Sequence, residues 1–291
     1  AVRGDRVREG RWEAVGSTWV EPDCNIPNGE SLVRQIAYGR AFFEREFGDA
    51  GDVLWLPDTF GYAASLPQIL KLGGIRSFFT TKLLWNDTTR FPHNSFWWQG
   101  IDGTRVLAHN PPVGLEGLAT PADFAKGWRG HAERRRSPHV LQTYGHGDGG
   151  GGVTDEHLHA IDLLSSATGL PGVRHSSVAG FFRALHADAA RLPVWRDELY
   201  LELHRGTYTT HAWLKLANRR AEAALYTTDL LCALAGLAPA GEPWPDRSAE
   251  LESLWKRLLL NQFHDIVPGT AIEQAYADTR RDFAAIDRCC A

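Results

Sequence analysis

The sequence predicts an α/β fold, layered or barrel-like, followed by a three-helix bundle, and three observations predict it. Short apolar runs alternate with helical periodicity from residue 1 to about residue 180. One of those runs, Val53-Leu54-Trp55-Leu56, is apolar throughout, as a strand buried on both faces must be. Beyond about residue 195 the texture turns to three amphipathic stretches separated by Pro and Gly.

Taken in order, Thr18-Trp19-Val20-Glu21 reads as a first strand. Leu32, Ile36, Phe43 and Phe47 recur at helical spacing and predict a helix from Ser31 to Phe47. Strands follow at Val53–Leu56, Ser77–Thr81, Phe96–Trp98, Val106–Ala108 and Val140–Tyr144. The stretch from Pro111 to Pro138 reads as irregular, with Arg134, Arg135 and Arg136 on a solvated face. Trp213, Leu216, Ala217, Ala221, Ala224 and Leu225 mark the first helix of the bundle, with Gly236 near its end. Pro239, Gly241, Pro243 and Pro245 break the pattern after it. Leu251, Leu254, Trp255, Leu258 and Leu259 mark a second helix that Pro268 and Gly269 close. Ile272, Tyr276, Phe283 and Ile286 mark a third.

Composition narrows the function. Hydrophobic residues make up 43% and charged residues 23%, so neither disorder nor a fibrous repeat fits. The net charge of −4 argues against a nucleic-acid partner. No apolar run approaches the length of a membrane span. Cys24, Cys232, Cys289 and Cys290 form no paired motif and read as free thiols of a reducing compartment, the cytoplasm. The chain starts at Ala1 and contains no Met, so it reads as a stretch of a longer protein.

Several polar residues follow directly on apolar runs: Asp23, Asp58, Lys82, Asn110 and Asp148. Parallel strands of α/β folds deliver functional side chains from their carboxyl ends, so residues distant in sequence can meet there. Asp58, in Leu56-Pro57-Asp58-Thr59-Phe60-Gly61-Tyr62, reads either as a helix cap or as an aimed carboxylate with Phe60 and Tyr62 as a sugar-stacking face. Asp148 sits in Gly145-His146-Gly147-Asp148-Gly149-Gly150-Gly151-Gly152, a flexible turn or a weak phosphate cradle. Two facing carboxylates would make the pair that glycoside cleavage needs. His264-Asp265, ahead of Pro268-Gly269, reads as a helix-end cap or as part of a divalent-metal site. His157 and His159 read as exposed residues at a helix start.

Together these motifs resemble the α-mannosidases of glycoside hydrolase family 38, in their cytosolic and bacterial branch. The resemblance rests on Trp19 to Gln35, Leu56 to Tyr62, Gly145 to Gly152, Glu202-Leu203-His204-Arg205-Gly206-Thr207-Tyr208-Thr209-Thr210, and Asn261 to Thr270. It implies a partial, barrel-like α/β catalytic domain over residues 1–190 and a three-helix middle domain over 191–291. It implies that Asp58 is both nucleophile and zinc ligand, that His264 is a second zinc ligand, and that Asp265 contacts the sugar. Asp148 would be the general acid/base, and Lys82, Tyr208 and Asp23 would line the sugar pocket. The cofactor implied is Zn2+, with another divalent cation as the substitute, and the partner is a mannose-containing oligosaccharide. Monomer and homo-oligomer are equally compatible with it. The family's remaining zinc ligands come from a His-x-Asp motif, which does not occur upstream of Asp23. Accordingly the isolated segment is expected to bind metal poorly and to be inactive. A carbohydrate-binding relative without turnover and a metal-dependent carbohydrate deacetylase are the competing functions.

Overall fold

The computed structural model describes residues 2–148, 150–237 and 245–290. Gly149 and the helix breakers Pro239, Gly241 and Pro243 lie outside the described residues. The chain divides into two compact units. One comprises residues 1–17 and 43–203, the other residues 18–42 and 204–291.

The first unit is built on a sheet of five short strands. They are β1 (Val53–Trp55), β2 (Ser77–Phe79), β3 (Ser95–Gln99), β4 (Arg105–His109) and β5 (Val194–Arg196). The order across the sheet is β1-β2-β4-β3-β5. Every neighbouring pair is parallel except β3 with β4. The fold is therefore mixed α/β with a mainly parallel sheet. The runs read as strands at Val53, Ser77, Phe96 and Val106 are those that form, because their side chains are buried above and below. On one face Val53, Phe79 and Leu107 pack against Phe181, Phe182 and Leu185 of a helix at Val178–Asp188. On the other, Phe78 and Trp98 enclose Tyr62 with edge-to-face ring contacts.

Three sequence expectations fail in this unit. Residues 140–144 form no strand; the Leu141 amide donates instead to Nε2 of His109, 3.3 Å away. The stretch read as irregular contains a helix, Pro121–Gly130. A capping box of Thr120 and Asp123 starts it, with Pro at the first helical position. His157 is not exposed: it is 5% accessible, and its Nδ1 accepts from the Thr154 amide at the start of the helix Asp155–Leu164.

The second unit contains the helices Ala212–Gly236, Ser248–Asn261 and Glu273–Cys290. Of the residues expected to face inward, Ala221, Leu225, Leu251, Leu254, Trp255, Leu258, Tyr276, Phe283 and Ile286 form one core, joined by Leu214, which the periodicity does not single out, with Trp213 and Ala217 packed against it. Leu216 and Ile272, also expected inward, are exposed. Residues 18–21 of this unit are not a strand. Their amides are taken by the helix Gly29–Phe47, with Trp19 N donating to the Gln35 carbonyl at 2.8 Å and Val20 N to Gln35 Oε1 at 3.1 Å. Gly39 permits that approach, since a Cβ there would lie 2.2 Å from the Thr18 carbonyl carbon.

Candidate active site

Three adjacent parallel strands, β1, β2 and β4, run out into polar residues at their carboxyl ends. Asp58 lies just past β1, Lys82 just past β2, and Asn110 directly after β4. The chain between β1 and Asp58 is fixed by its neighbour. Leu56 N donates to the Phe79 carbonyl at 3.0 Å, and the Pro57 carbonyl accepts from Thr81 N at 3.2 Å and Thr81 Oγ1 at 3.0 Å. The Tyr62 hydroxyl donates to the Leu56 carbonyl at 2.8 Å. Gly61 at φ +100° turns the chain back beyond Asp58. The next helix starts only at Leu66, so Asp58 is not its cap.

Lys82 is 4% exposed, and its Nζ lies 2.5 Å from Oδ1 of Asp58, whose side chain is 43% exposed. Lys82 and Trp85 open and close one 3₁₀ turn, where side chains three apart stack. Accordingly the ammonium lies 4.1 Å from the centre of the Trp85 ring, and 5.1 Å from that of Phe60. A buried ammonium needs such company, because desolvating it without a partner costs several kcal/mol (about 3–5). The result is a carboxylate that reaches solvent but is oriented from behind by a fixed cation.

The proposed sugar-stacking aromatics need correction. Tyr62 is fully buried and its hydroxyl is committed, and Phe60 is 7% exposed. The exposed ring beside the pair is Trp85, at 51%. Asp148 occupies an exposed loop in the left-handed region, φ +49°. Paired amide–carbonyl bonds between His146 and Gly152 close the base of that loop. No strand leads into it.

In the second unit Glu21-Pro22-Asp23 runs antiparallel to Gln262-Phe263-His264. Asp23 N donates to the Gln262 carbonyl at 2.9 Å, and His264 N to the Glu21 carbonyl at 3.1 Å. The same Glu21 carbonyl lies 2.9 Å from His264 Nδ1. A carbonyl only accepts, so Nδ1 carries the proton and Nε2 is the lone-pair nitrogen. Asp265 is held by Thr270, whose Oγ1 donates to Oδ1 at 2.8 Å. Tyr208 is half-exposed, and its hydroxyl accepts from Asn25 Nδ2 at 3.1 Å.

Asp23 is 1% exposed. Its Oδ1 accepts from the amides of Asn25 and Ile26 at 2.8 and 2.7 Å. Burial pushes its carboxyl above the ordinary range, opposed by those amides and by Lys215 and His264. Lys215 is pulled down to about 8 by burial, with Asp23 resisting. Its Nζ also donates to the carbonyls of Thr210 and Pro268 at 2.6 and 2.9 Å, so it braces the turn that follows His264-Asp265. Sequence reading missed Lys215 because it sits in an ordinary helical pattern. It missed Trp85 although the spacing from Lys82 was visible.

The donor types suit zinc at two positions: the Asp58 carboxylate and the His264 Nε2. Among the described residues no group of three or more His, Cys, Asp or Glu side chains is placed to hold an ion. They do not make a complete metal site by themselves. No helix among them is long and apolar enough to cross a membrane.

Residues 1–198 match the glycosyl hydrolases family 38 N-terminal domain, and residues 202–289 match the alpha mannosidase middle domain. The chain is 46% identical over 265 residues to human Alpha-mannosidase 2C1, covering 91% of this chain and 25% of that protein. It is 39% identical over 285 residues to the Alpha-mannosidase of Saccharomyces cerevisiae, covering 93% of this chain and 26% of that protein. The chain thus spans about a quarter of the length of these curated relatives. An alpha-mannosidase structure from Enterococcus faecalis V583 superposes with a TM-score of 0.80 at 18% identity, over 99% of this chain and 34% of that one. A GH57-type branching enzyme from Pyrococcus horikoshii superposes with a TM-score of 0.62 at 16% identity, over 99% of this chain and 67% of that one. These two structural likenesses show a shared fold.

Proposed function

The chain belongs to glycoside hydrolase family 38, and on that premise we propose that it carries catalytic machinery of a retaining α-mannosidase acting on terminal α-mannosyl linkages of oligosaccharides. The observation that carries this reading is Asp58: a solvent-reaching carboxylate past the end of a parallel strand, held at Oδ1 by the buried Lys82. A nucleophile needs that arrangement, because its attacking oxygen must be accessible and its direction fixed.

In this reading Asp58 attacks the anomeric carbon and Asp148 protonates the departing glycosidic oxygen. A glycosyl ester on Asp58 results. Asp148, now ionised, takes a proton from water, and that water releases the sugar with its original configuration. Lys82 keeps the Asp58 carboxylate aimed through the cycle. Asp265 hydrogen-bonds sugar hydroxyls, while Asp23 and Tyr208 shape the walls around them. Asp58 and His264 would hold zinc in company with further ligands; bound zinc supplies Lewis-acid orientation of vicinal sugar hydroxyls. The barrel-like domain is assigned to residues 1–190 and the three-helix middle domain to 191–291. The four free cysteines fit the cytoplasm.

The test uses the full-length protein and an aryl α-mannoside. A fluorinated mannosyl fluoride that slows deglycosylation should leave one adduct per chain on the Asp58 peptide, read by mass spectrometry. Asp58→Asn should abolish turnover, and Asp148→Asn should be rescued by azide on an activated substrate. Inversion of the anomeric configuration, or an adduct elsewhere, overturns the mechanism. Sugar binding without turnover would favour the carbohydrate-binding relative instead.

A further inference from the structure

The Glu202-to-Thr210 motif carries family resemblance, but its first residue has no assigned task. In the structure Glu202 is 8% exposed and faces a loop of its own unit, residues 86–89. Its Oε2 accepts from Thr88 N at 2.6 Å, and its Oε1 accepts from Thr88 Oγ1 at 3.0 Å and Thr89 N at 2.8 Å. Asn86 completes the clamp. Its Oδ1 accepts from Glu202 N at 2.9 Å, and its Nδ2 donates to the Tyr200 carbonyl at 3.3 Å. The bonds from Thr89 and Thr88 hold the Glu202 carboxyl down to about 2, so it is ionised at neutral pH.

The clamped loop begins immediately after Trp85. That indole is therefore fixed from both sides: by the 3₁₀ turn starting at Lys82, and by the Asn86 anchor next in sequence. It is a large ring, 51% exposed, standing against the ammonium that grips Asp58. An exposed aromatic ring beside the carboxylate's cation presents a flat apolar face at the edge of the site. A pyranose ring bound at Asp58 offers a matching face of C–H bonds.

We propose that Trp85 stacks on a pyranose ring of the substrate bound at Asp58, and that Glu202 is the positioning residue that sets the indole. The inference rests on the mannosidase reading and names a wall of that same site. Glu202 acts only through the loop, so its removal costs what a misplaced Trp85 costs and no more.

The experiment measures kcat and KM of the full-length protein on an α-linked mannobiose. Trp85→Ala keeps Asp58 and Phe60 beside the Lys82 ammonium, and a thermal melt run with the kinetics checks that the variant is folded. It should raise KM about tenfold with kcat within about threefold, the signature of lost ground-state contact. Trp85→Phe should restore most of the loss. Glu202→Gln should raise KM in the same direction, and Glu202→Gln combined with Trp85→Ala should be no worse than Trp85→Ala alone. An unchanged KM in Trp85→Ala overturns the proposal, as does a fall in kcat alone, which would make the indole a prop for Lys82. Effects that multiply in the double variant overturn the role of Glu202. A wild-type protein without turnover overturns the mannosidase reading and this inference together; an active wild type with an unaffected Trp85→Ala overturns this one alone.

Discussion

Lys82 and Asp58 form an asymmetric pair: the cation is 4% exposed and the carboxylate 43%, with 2.5 Å between Nζ and Oδ1. The buried partner is fixed by its surroundings and therefore dictates the direction of the exposed one. We expect Lys82→Met to lower kcat/KM by about 100-fold, in the range of lost electrostatic contacts at reacting groups. Lys82→Arg should recover part of it. Steady-state kinetics beside a thermal melt checks this. A well-folded Lys82→Met variant with kcat within threefold of wild type contradicts the assignment.

The Glu21 carbonyl fixes His264 as the Nδ1–H tautomer, so Nε2 is the nitrogen that would coordinate in the proposed zinc site. Replacing His264 with Gln should strip zinc from the full-length protein at concentrations where wild type retains it. Elemental analysis after dialysis against a weak chelator gives the stoichiometry. Equal retention by the variant would remove His264 from the ligand set.

Gly39 lets a helix lie directly on an extended backbone. An added Cβ would sit 2.2 Å from Thr18 C and 2.6 Å from Trp19 N, both main-chain atoms that cannot swing aside. Gly39→Ala should therefore destabilise the protein by about 1–3 kcal/mol, despite the better helix propensity of Ala. Urea unfolding measures it. A stabilised variant would mean that the approach is looser than described.

Much of this was legible in advance, and the failures share a cause. The strands at Val53, Ser77, Phe96 and Val106 and the inward stripes of the last three helices are repetitive patterns of burial, which sequence encodes directly. Residues 18–21 and 140–144 look the same locally, but partners elsewhere in the chain take their amides: the carbonyl and side chain of Gln35 in one case and the His109 ring in the other. Asp58 and Lys82 could be picked out one by one because each follows a strand, yet their pairing needed the register of β1 on β2. Lys215 and Glu202 act through loops whose partners lie elsewhere in the chain, and no spacing rule announces them. The helix Pro121–Gly130 differs: its Thr-Pro-x-Asp start is a local helix signal that the sequence carries on its own.

His109, fully buried at the end of β4, makes stability depend on pH. Its Nε2 accepts from the Leu141 amide, so Nδ1 carries the proton and faces Ser95 Oγ at 2.9 Å. A proton on Nε2 would point at an N–H. Burial, with His131 nearby, lowers its folded value from 6.5 to about 3. Between those values the unfolded chain binds a proton that the folded one refuses. Its contribution is thus complete above pH 6.5 and drains away as pH falls toward 3, with a limiting slope of about 1.4 kcal/mol per pH unit. A His109→Gln variant has no such proton. The stability difference between wild type and variant, from urea unfolding at pH 7, 6, 5 and 4, should shift steadily against the wild type. A difference that stays constant with pH would mean that His109 titrates alike in both states.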